Sequence, residues 1–296
     1  YVIVNNCSTD GSLEVAQRYA AQDPRIKVHN NTTFLSVVDN FNNAFSLVCS
    51  VGKYIKVVGA DDWLYPTCIA EMVRVAVDHP TVGMVSSYVV AGSRVGFDGL
   101  LYPSTFVKGR DACRRYLLED IAAFGGPSAS LLRSSVVKGR MPFYKVGNYH
   151  GDTEAYLDLL SEHDFGFVHQ VLSYPRKGEE SRTTHFLRRV NSYVVANVET
   201  LIRYGPRYLT EAELDRRLRQ AWHEYYQFLA DCVIKASKRE LWDYHRERLR
   251  SLGTSINRVK LTRYVLSAIV DRVLNPKRTV EGIARILLRR PYQPAA

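Results

Sequence analysis

Two neighbouring carboxylates, Asp61 and Asp62, lie in the run Gly59-Ala-Asp-Asp-Trp-Leu-Tyr-Pro66, directly after the apolar stretch Tyr54-Ile-Lys-Val-Val58. A buried strand that ends in two acids puts them where open α/β sheets bind ligands. Asp oxygens are hard ligands that suit Mg2+ or Mn2+, and such an ion bridges the two phosphates of a diphosphate. The other role open to the pair is capping the helix that follows. A second acidic group, His150-Gly-Asp-Thr-Glu154, opens a helical run. Asp152 there is either a general base facing a cleft or a helix N-cap, with Glu154 as first-turn charge. Gly125-Gly-Pro-Ser128 is either a plain turn or a place where backbone comes close to a ligand, because glycine has no Cβ. Trp63 reads either as a core anchor or as a residue packed near the ligand that the two acids would serve. His163 and His169 lack metal-ligand spacing and read as structural, and the phosphate-loop and dinucleotide fingerprints are absent.

Positioning these residues takes alternating strands and helices. Tyr1–Val4 is a short continuous apolar run, as in a strand buried on both faces, and Asn5–Gly11 is a turn cluster. Helical spacing follows over Ser12–Ala21, Phe41–Cys49, Pro66–Val77, Asp111–Asp120 and Asp152–Leu160. Strands are expected at Ile26–Val28, Tyr54–Val58, Val82–Val89, Ala129–Arg133 and Gly166–Leu172, with a loop at Ser104–Arg110. The alternation implies an α/β fold with a mostly parallel sheet. Beyond about residue 182 the pattern is helical only, over Arg189–Tyr204, Glu211–Ser237, Leu241–Leu252, Leu261–Leu274 and Val280–Leu288. Two domains are therefore expected, residues 1–182 and a helical extension over 183–296.

Several blocks, in chain order, resemble family-2 glycosyltransferases. They are Val4-Asn-Asn-Cys-Ser-Thr-Asp-Gly-Ser12, Asp23-Pro-Arg-Ile-Lys-Val28, the Asn-rich stretch from Asn40 to Ala44, Lys53 to Leu64, and His150 to Glu154. The resemblance spans about residues 1–182. It implies a GT-A-like α/β/α sandwich, Rossmann-like, and transfer of a sugar from a nucleotide-diphosphate sugar to a glycan or lipid-linked acceptor hydroxyl, with inversion. It implies Mn2+ or Mg2+ on Asp61 and Asp62, Asp152 as base, and donor contacts from Asn5, Asp10, Asp61 and Arg176. Gly125, Gly126, Ser128 and Glu154 are the candidate acceptor contacts. Three departures stand out. The family's first strand falls N-terminal to Tyr1, so the chain is expected to begin inside a longer gene product. Asn5 stands at a usually acidic position, and Gly59 stands at the first Asp of the usual Asp-x-Asp. The processive Gln-x-x-Arg-Trp is absent, since Gln170-Val-Leu-Ser-Tyr174 occupies that place, which points to single-sugar transfer. The departures leave open a degenerate nucleotide- or glycan-binding module. A nucleotidyltransferase is the other enzyme reading, but it wants a Gly-rich basic loop that this chain does not show.

The five cysteines are odd in number and scattered, which argues against a disulfide framework or a zinc site. No apolar run reaches the roughly 18–20 residues of a membrane span. Charge is uneven. Residues 1–182 hold 18 Lys and Arg against 19 Asp and Glu, whereas residues 183–296 hold 22 against 11. The basic second half, with apolar residues Leu261, Val265, Ile269 and Val273 spaced on a helix, fits either an anionic membrane surface or a set of solvated helix faces whose apolar stripe packs on the first domain or a second subunit. The expected place is cytoplasmic, peripheral at the inner face of a membrane, with no nucleic-acid partner.

Overall fold

The computed structural model describes residues 1–48, 52–97, 99–122, 124–176 and 182–274. It divides into two compact units, one of residues 1–178 with 207–209, the other of residues 179–206 with 210–296.

In the first unit, β1 (Val2–Asn5), α1 (Ser12–Gln22) and β2 (Lys27–Asn30) form a parallel β-α-β turn, in register from Val2 on Lys27 to Asn5 on Asn30. α2 (Val37–Ser46) starts at Ser36, whose side chain accepts from the Asp39 amide. This satisfies one of the unpaired donors of a helix start. A larger sheet follows. β3 (Tyr54–Lys56), β4 (Trp63–Leu64), α3 (Cys68–Asp78), β5 (Val82–Ala91), β6 (Arg94–Gly96) and β7 (Phe106–Val107) lead to α4 (Gly109–Leu117). A 3-10 turn at Pro127–Ala129 then enters β8 (Ser130–Arg133) and α5 (Ser134–Lys138), and α6 (Gly151–Leu159) precedes β9 (Asp164–Tyr174). The strand order is β3-β8-β5-β9-β4, with β6 beside β5 and β7 beside β9. Among the described residues no ladder joins this sheet to β1–β2.

The alternation of helix and strand gave the expectation of a mostly parallel sheet, and here the structure differs. β5 and β9 run parallel, but β3–β8, β8–β5, β9–β4, β5–β6 and β7–β9 are antiparallel. The reason is connection length. β6 is a hairpin return on β5, β4 and β7 are two-residue strands contributed by loops, and the long 108–129 connection leaves β8 free to run either way. The stretch expected as a loop at 104–110 supplies β7.

The core lies where α3 covers β5 and β9. Cys68, Met72, Val75 and Ala76 bury one helix face against Val82, Val85, Leu131, Val168 and Leu172. Burying each larger apolar side chain contributes about 1.5–3 kcal/mol, so this layer anchors the strand ends that carry the site. Cys7, Cys68, Cys113 and Cys232 are free thiols.

The second unit holds α7 (Arg182–Val190), α8 (Ser192–Tyr208), α9 (Glu211–Ile234), α10 (Arg239–Ser251) and α11 (Arg258–Leu274). The single helix expected over 189–204 is broken at Asn191, whose φ of 46° leaves the right-handed region. Asn tolerates that conformation better than most residues. Thr210 and Glu213 form a capping box at the start of α9. His245 is fully buried, bonded to the Tyr225 hydroxyl at 3.1 Å and the Val190 carbonyl at 2.8 Å. α11 packs on α9 through Tyr264 with His223 and Arg272 with Asp231. Its other side leaves Val259, Leu266, Val270 and Val273 more than half exposed. The expected helix over 280–288 lies outside the described residues. Among those described, no helix is long and apolar enough to cross a membrane.

Candidate active site

The chain leaves β3 at Lys56 and turns through Gly59, where the Asp62 amide donates to the Gly59 carbonyl at 3.0 Å. Asp61 is exposed and Asp62 half-buried. Both carboxylates lean over Gly59: a Cβ there would lie 2.8 Å from Asp62 Oδ2 and 3.3 Å from Asp61 Oδ1. Gly59 therefore leaves room for the two acids to converge. The pairing of Trp63 with Tyr174 brings the end of β9 alongside, and the Arg176 amide donates to Asp62 Oδ1 at 2.9 Å. Trp63 is 73% exposed rather than a core anchor, with its ring centroid 6.3 Å from that of Tyr174. β4 is a two-residue strand at the end of the sheet order, and the ring it carries stays open to solvent.

Beneath this loop is a fixed support. The Gly59 amide donates to Ser128 Oγ at 2.9 Å. Lys56 Nζ donates to the carbonyls of Ser128 at 2.7 Å and Ser130 at 3.1 Å. Burial lowers the Lys56 ammonium to about 8, against the opposing pull of Cys68 and Asp62. Sequence reading missed Lys56, because a lysine in a short strand carries no signal of where its ammonium ends. Ser128 is 6% exposed, and its hydroxyl holds the carboxylate loop. Gly125 has φ +67°, and a Cβ there would lie 2.7 Å from Ala129 Cβ, so its close approach is to its own chain. Gly126 has no neighbour around a notional Cβ and borders open space.

Asp152 is the second residue of α6 and half-buried. Its Oδ1 accepts from the Thr153 amide at 2.8 Å, and the N-cap position belongs to His150. Burial raises the Asp152 carboxyl from 3.8 to about 6, against the opposing backbone hydrogen bond from Thr153. One turn on, the Tyr156 hydroxyl lies 3.0 Å from Ser130 Oγ. Ser128 thus holds Gly59, Lys56 bridges the Ser128 and Ser130 carbonyls, and the Ser130 hydroxyl meets Tyr156, on the helix that carries Asp152. Glu154 is 2% exposed and lies 3.8 Å from Lys145 Nζ, so it faces the interior.

Asn5 and Asp10 stand apart, on β1 and the turn after it. Asn5 is 7% exposed, with Nδ2 donating to Asn30 Oδ1 at 2.6 Å. Asn31 bridges Asn6 and Asn40 and accepts from Asn43, giving an amide network that sequence reading saw only at Asn40–Ala44. Asp10 accepts from the Ser12 amide at 3.1 Å, and hydrogen bonding to Ser12 lowers its carboxyl.

Among the described residues no three His, Cys, Asp or Glu side chains are grouped to hold a metal by themselves. Two convergent carboxylates nevertheless fit an ion of the Mg2+ or Mn2+ kind. Such ions are held by one or two carboxylates, with phosphate and water completing the shell.

Residues 1–139 match the sequence model described as glycosyl transferase family 2. The uncharacterized glycosyltransferase YibD of Escherichia coli (strain K12) is 33% identical over 78 residues, which are 26% of this chain and 22% of YibD. The chain thus aligns with about a fifth of that relative's length. Among solved structures, S. aureus TarS 1-349 superposes with a TM-score of 0.53 at 14% identity, over 77% of this chain and 62% of that one. The mannosyltransferase PcManGT from Pyrobaculum calidifontis, solved with GDP-Man and Mn2+, gives 0.50 at 16% identity, over 92% of this chain and 77% of its own. These two likenesses bear on the fold, which is GT-A-like. Over residues 1–139, just under half of the chain, the sequence is similar to glycosyl transferase family 2.

Proposed function

We propose that the protein transfers one sugar at a time from a nucleotide-diphosphate sugar to an acceptor hydroxyl, with inversion. The observation that carries this reading is Asp152. Its carboxyl is raised to about 6, and it sits on the helix whose Tyr156 hydroxyl meets Ser130, two residues from the Ser128 hydroxyl that holds the loop bearing Asp61 and Asp62. A base is most effective when its pKa lies near the working pH. Asp152 takes the acceptor proton while the acceptor oxygen bonds to the anomeric carbon. The bond from that carbon to the diphosphate oxygen breaks, and the nucleoside diphosphate leaves with the electron pair. One in-line displacement inverts the centre. Asp61 and Asp62 would hold Mn2+ or Mg2+, which supplies positive charge for the departing phosphates. Asn5, Asp10 and the Arg176 side chain are assigned to the donor, and the open backbone at Gly126 to the acceptor. Ser128 and Glu154 are not assigned to the acceptor, since one holds the Gly59 amide and the other is buried on Lys145.

A second reading, a nucleotide-binding module without turnover, is favoured by the two-carboxylate site and by Gly59. Incubating the full-length protein with UDP-glucose or GDP-mannose and Mn2+ separates the two. Release of nucleoside diphosphate, with product of opposite anomeric configuration by NMR, supports transfer. Tight binding without release supports the module.

The helical extension is assigned to an anionic membrane surface at the cytoplasmic face. Its net charge of +11 and the exposed apolar side of α11 support that reading, because a second copy would bring the same positive charge against itself.

A further inference from the structure

Lys56 closes β3, a short strand beside β8, and the Ile55 that precedes it is 6% exposed. Lysine seldom withdraws its ammonium from water unless the donors are engaged, because an unpaired buried charge is costly. Here burial brings the ammonium down to about 8, and the donors are engaged on backbone. The β3–β8 ladder ends with Lys56 opposite Leu131. Past that pair the side chain takes over from the strand. Its Nζ donates to the Ser130 carbonyl at 3.1 Å and to the Ser128 carbonyl at 2.7 Å.

Those two bonds hold the turn that enters β8. The Ala129 amide donates to the Gly126 carbonyl at 2.9 Å, and Ser86 Oγ lies 3.4 Å from the Ala129 carbonyl. The carbonyl of Ser128 itself is taken by Lys56. The Ser128 hydroxyl then accepts from the Gly59 amide at 2.9 Å. A ring of contacts results. The ammonium of Lys56 reaches across to Ser128, and Ser128 returns a bond to the chain three residues after Lys56. That residue, Gly59, takes the Asp62 amide on its carbonyl at 3.0 Å, and it lies under both Asp61 and Asp62 carboxylates.

We propose that Lys56 is a positioning residue for the metal site: by clamping the Ser128 and Ser130 carbonyls it aims the Ser128 hydroxyl at the Gly59 amide, and so fixes the turn on which Asp61 and Asp62 converge. The inference rests on the reading of those two acids as holders of Mn2+ or Mg2+. Ligands fixed before an ion arrives lose less freedom on binding it, so a rigid turn raises affinity. Lys56 acts through Ser128 and not on the ion.

The test follows the Gly59 amide by hydrogen exchange, and Mn2+-dependent binding of UDP and GDP by calorimetry, in the full-length protein. Lys56→Met keeps the length of the side chain and removes its donors. Gly59 exchange should speed up about tenfold or more. The Mn2+-dependent binding should weaken about tenfold or more. A lysine that only fills space would leave both as they are in the methionine variant, and either one unchanged overturns the inference. Adding Ser128→Ala to Lys56→Met should weaken binding little further, because the two changes break one chain of bonds. Fully additive losses overturn the route through Ser128. If Lys56→Met does not fold, Lys56→Gln decides, because its shorter carboxamide cannot span both carbonyls. Faster Gly59 exchange then supports the clamp, and an unchanged rate counts against it. Failure of the underlying reading looks different: the wild type would bind UDP and GDP equally with and without Mn2+, while Gly59 exchange would still respond to Lys56.

Discussion

The Gly59 amide donates to the Ser128 hydroxyl at 2.9 Å, across 69 residues of sequence. This bond joins the loop that carries the two carboxylates to the segment that leads into β8. Ser128→Ala leaves the amide of the half-buried Gly59 without its partner. The expected cost is about 1–3 kcal/mol of stability, together with weaker Mn2+-dependent binding of UDP or GDP. Thermal melting and calorimetry check the two effects, and a variant that binds as the wild type would disconnect Ser128 from the site.

The convergence of Asp61 and Asp62 over Gly59 is open to direct test. Gly59→Ala places a methyl group 2.8 Å from Asp62 Oδ2, so that carboxylate must swing away. Asp61→Ala removes the other proposed ligand. Each change should weaken Mn2+-dependent nucleoside diphosphate binding about tenfold or more, the loss of roughly 1.4 kcal/mol or more from one ligand. Calorimetry with and without Mn2+ reads this. Equal affinity for wild type and Asp61→Ala in the presence of metal would take Asp61 out of the site.

Asp152 makes stability depend on pH in a stated direction. Its carboxyl is raised from 3.8 to about 6 on folding. Between those values the folded state binds more protons than the unfolded one, so stability rises as pH falls through about 6 toward 4. Above about 6 the charged, buried carboxylate costs on the order of 1–3 kcal/mol. Asp152→Asn should therefore raise the thermal midpoint at pH 7.5 and flatten the pH dependence between 4 and 6. A wild-type midpoint that falls steadily over that interval as acid is added, with no difference in the variant, would contradict the assignment.

Attachment of the helical extension should depend on salt and on α11. Basic residues near an anionic leaflet contribute about 1 kcal/mol each. The full-length protein should co-sediment with phosphatidylserine-rich vesicles at low salt and be released at high salt. Leu266→Asp with Val273→Asp places charge on the exposed side of α11 and should reduce binding. Vesicle binding that is absent at low salt removes the membrane from the account.

The sequence was most legible where function is local. Asp61, Asp62 and Asp152 follow strand and loop signals within a few residues of themselves, and the structure puts them at those element ends. Contacts that span the chain were not legible. The Ser128 hydroxyl reaches Gly59 across 69 residues, and Asn42 grips Tyr144 across 102. No periodicity reports such bonds. Lys56 looks like any strand lysine until its ammonium is found on the Ser128 and Ser130 carbonyls. Trp63 misled because an aromatic residue after a strand usually finds a core, whereas here it lies on a two-residue edge strand. The helix break at Asn191 rests on one backbone angle that helical spacing on both sides conceals.

Whether Asp152 takes the acceptor proton is decided by the turnover of its amide variant. Sugar transfer by the full-length protein is compared with that of Asp152→Asn, using a donor that the wild type turns over and measuring donor affinity in parallel. The expected result is a fall in kcat of about 10²-fold or more, the usual contribution of a general base, with donor affinity unchanged. Wild-type kcat should also decline below about pH 6, where Asp152 takes up its proton. Near wild-type turnover by Asp152→Asn would contradict the claim and place the base elsewhere.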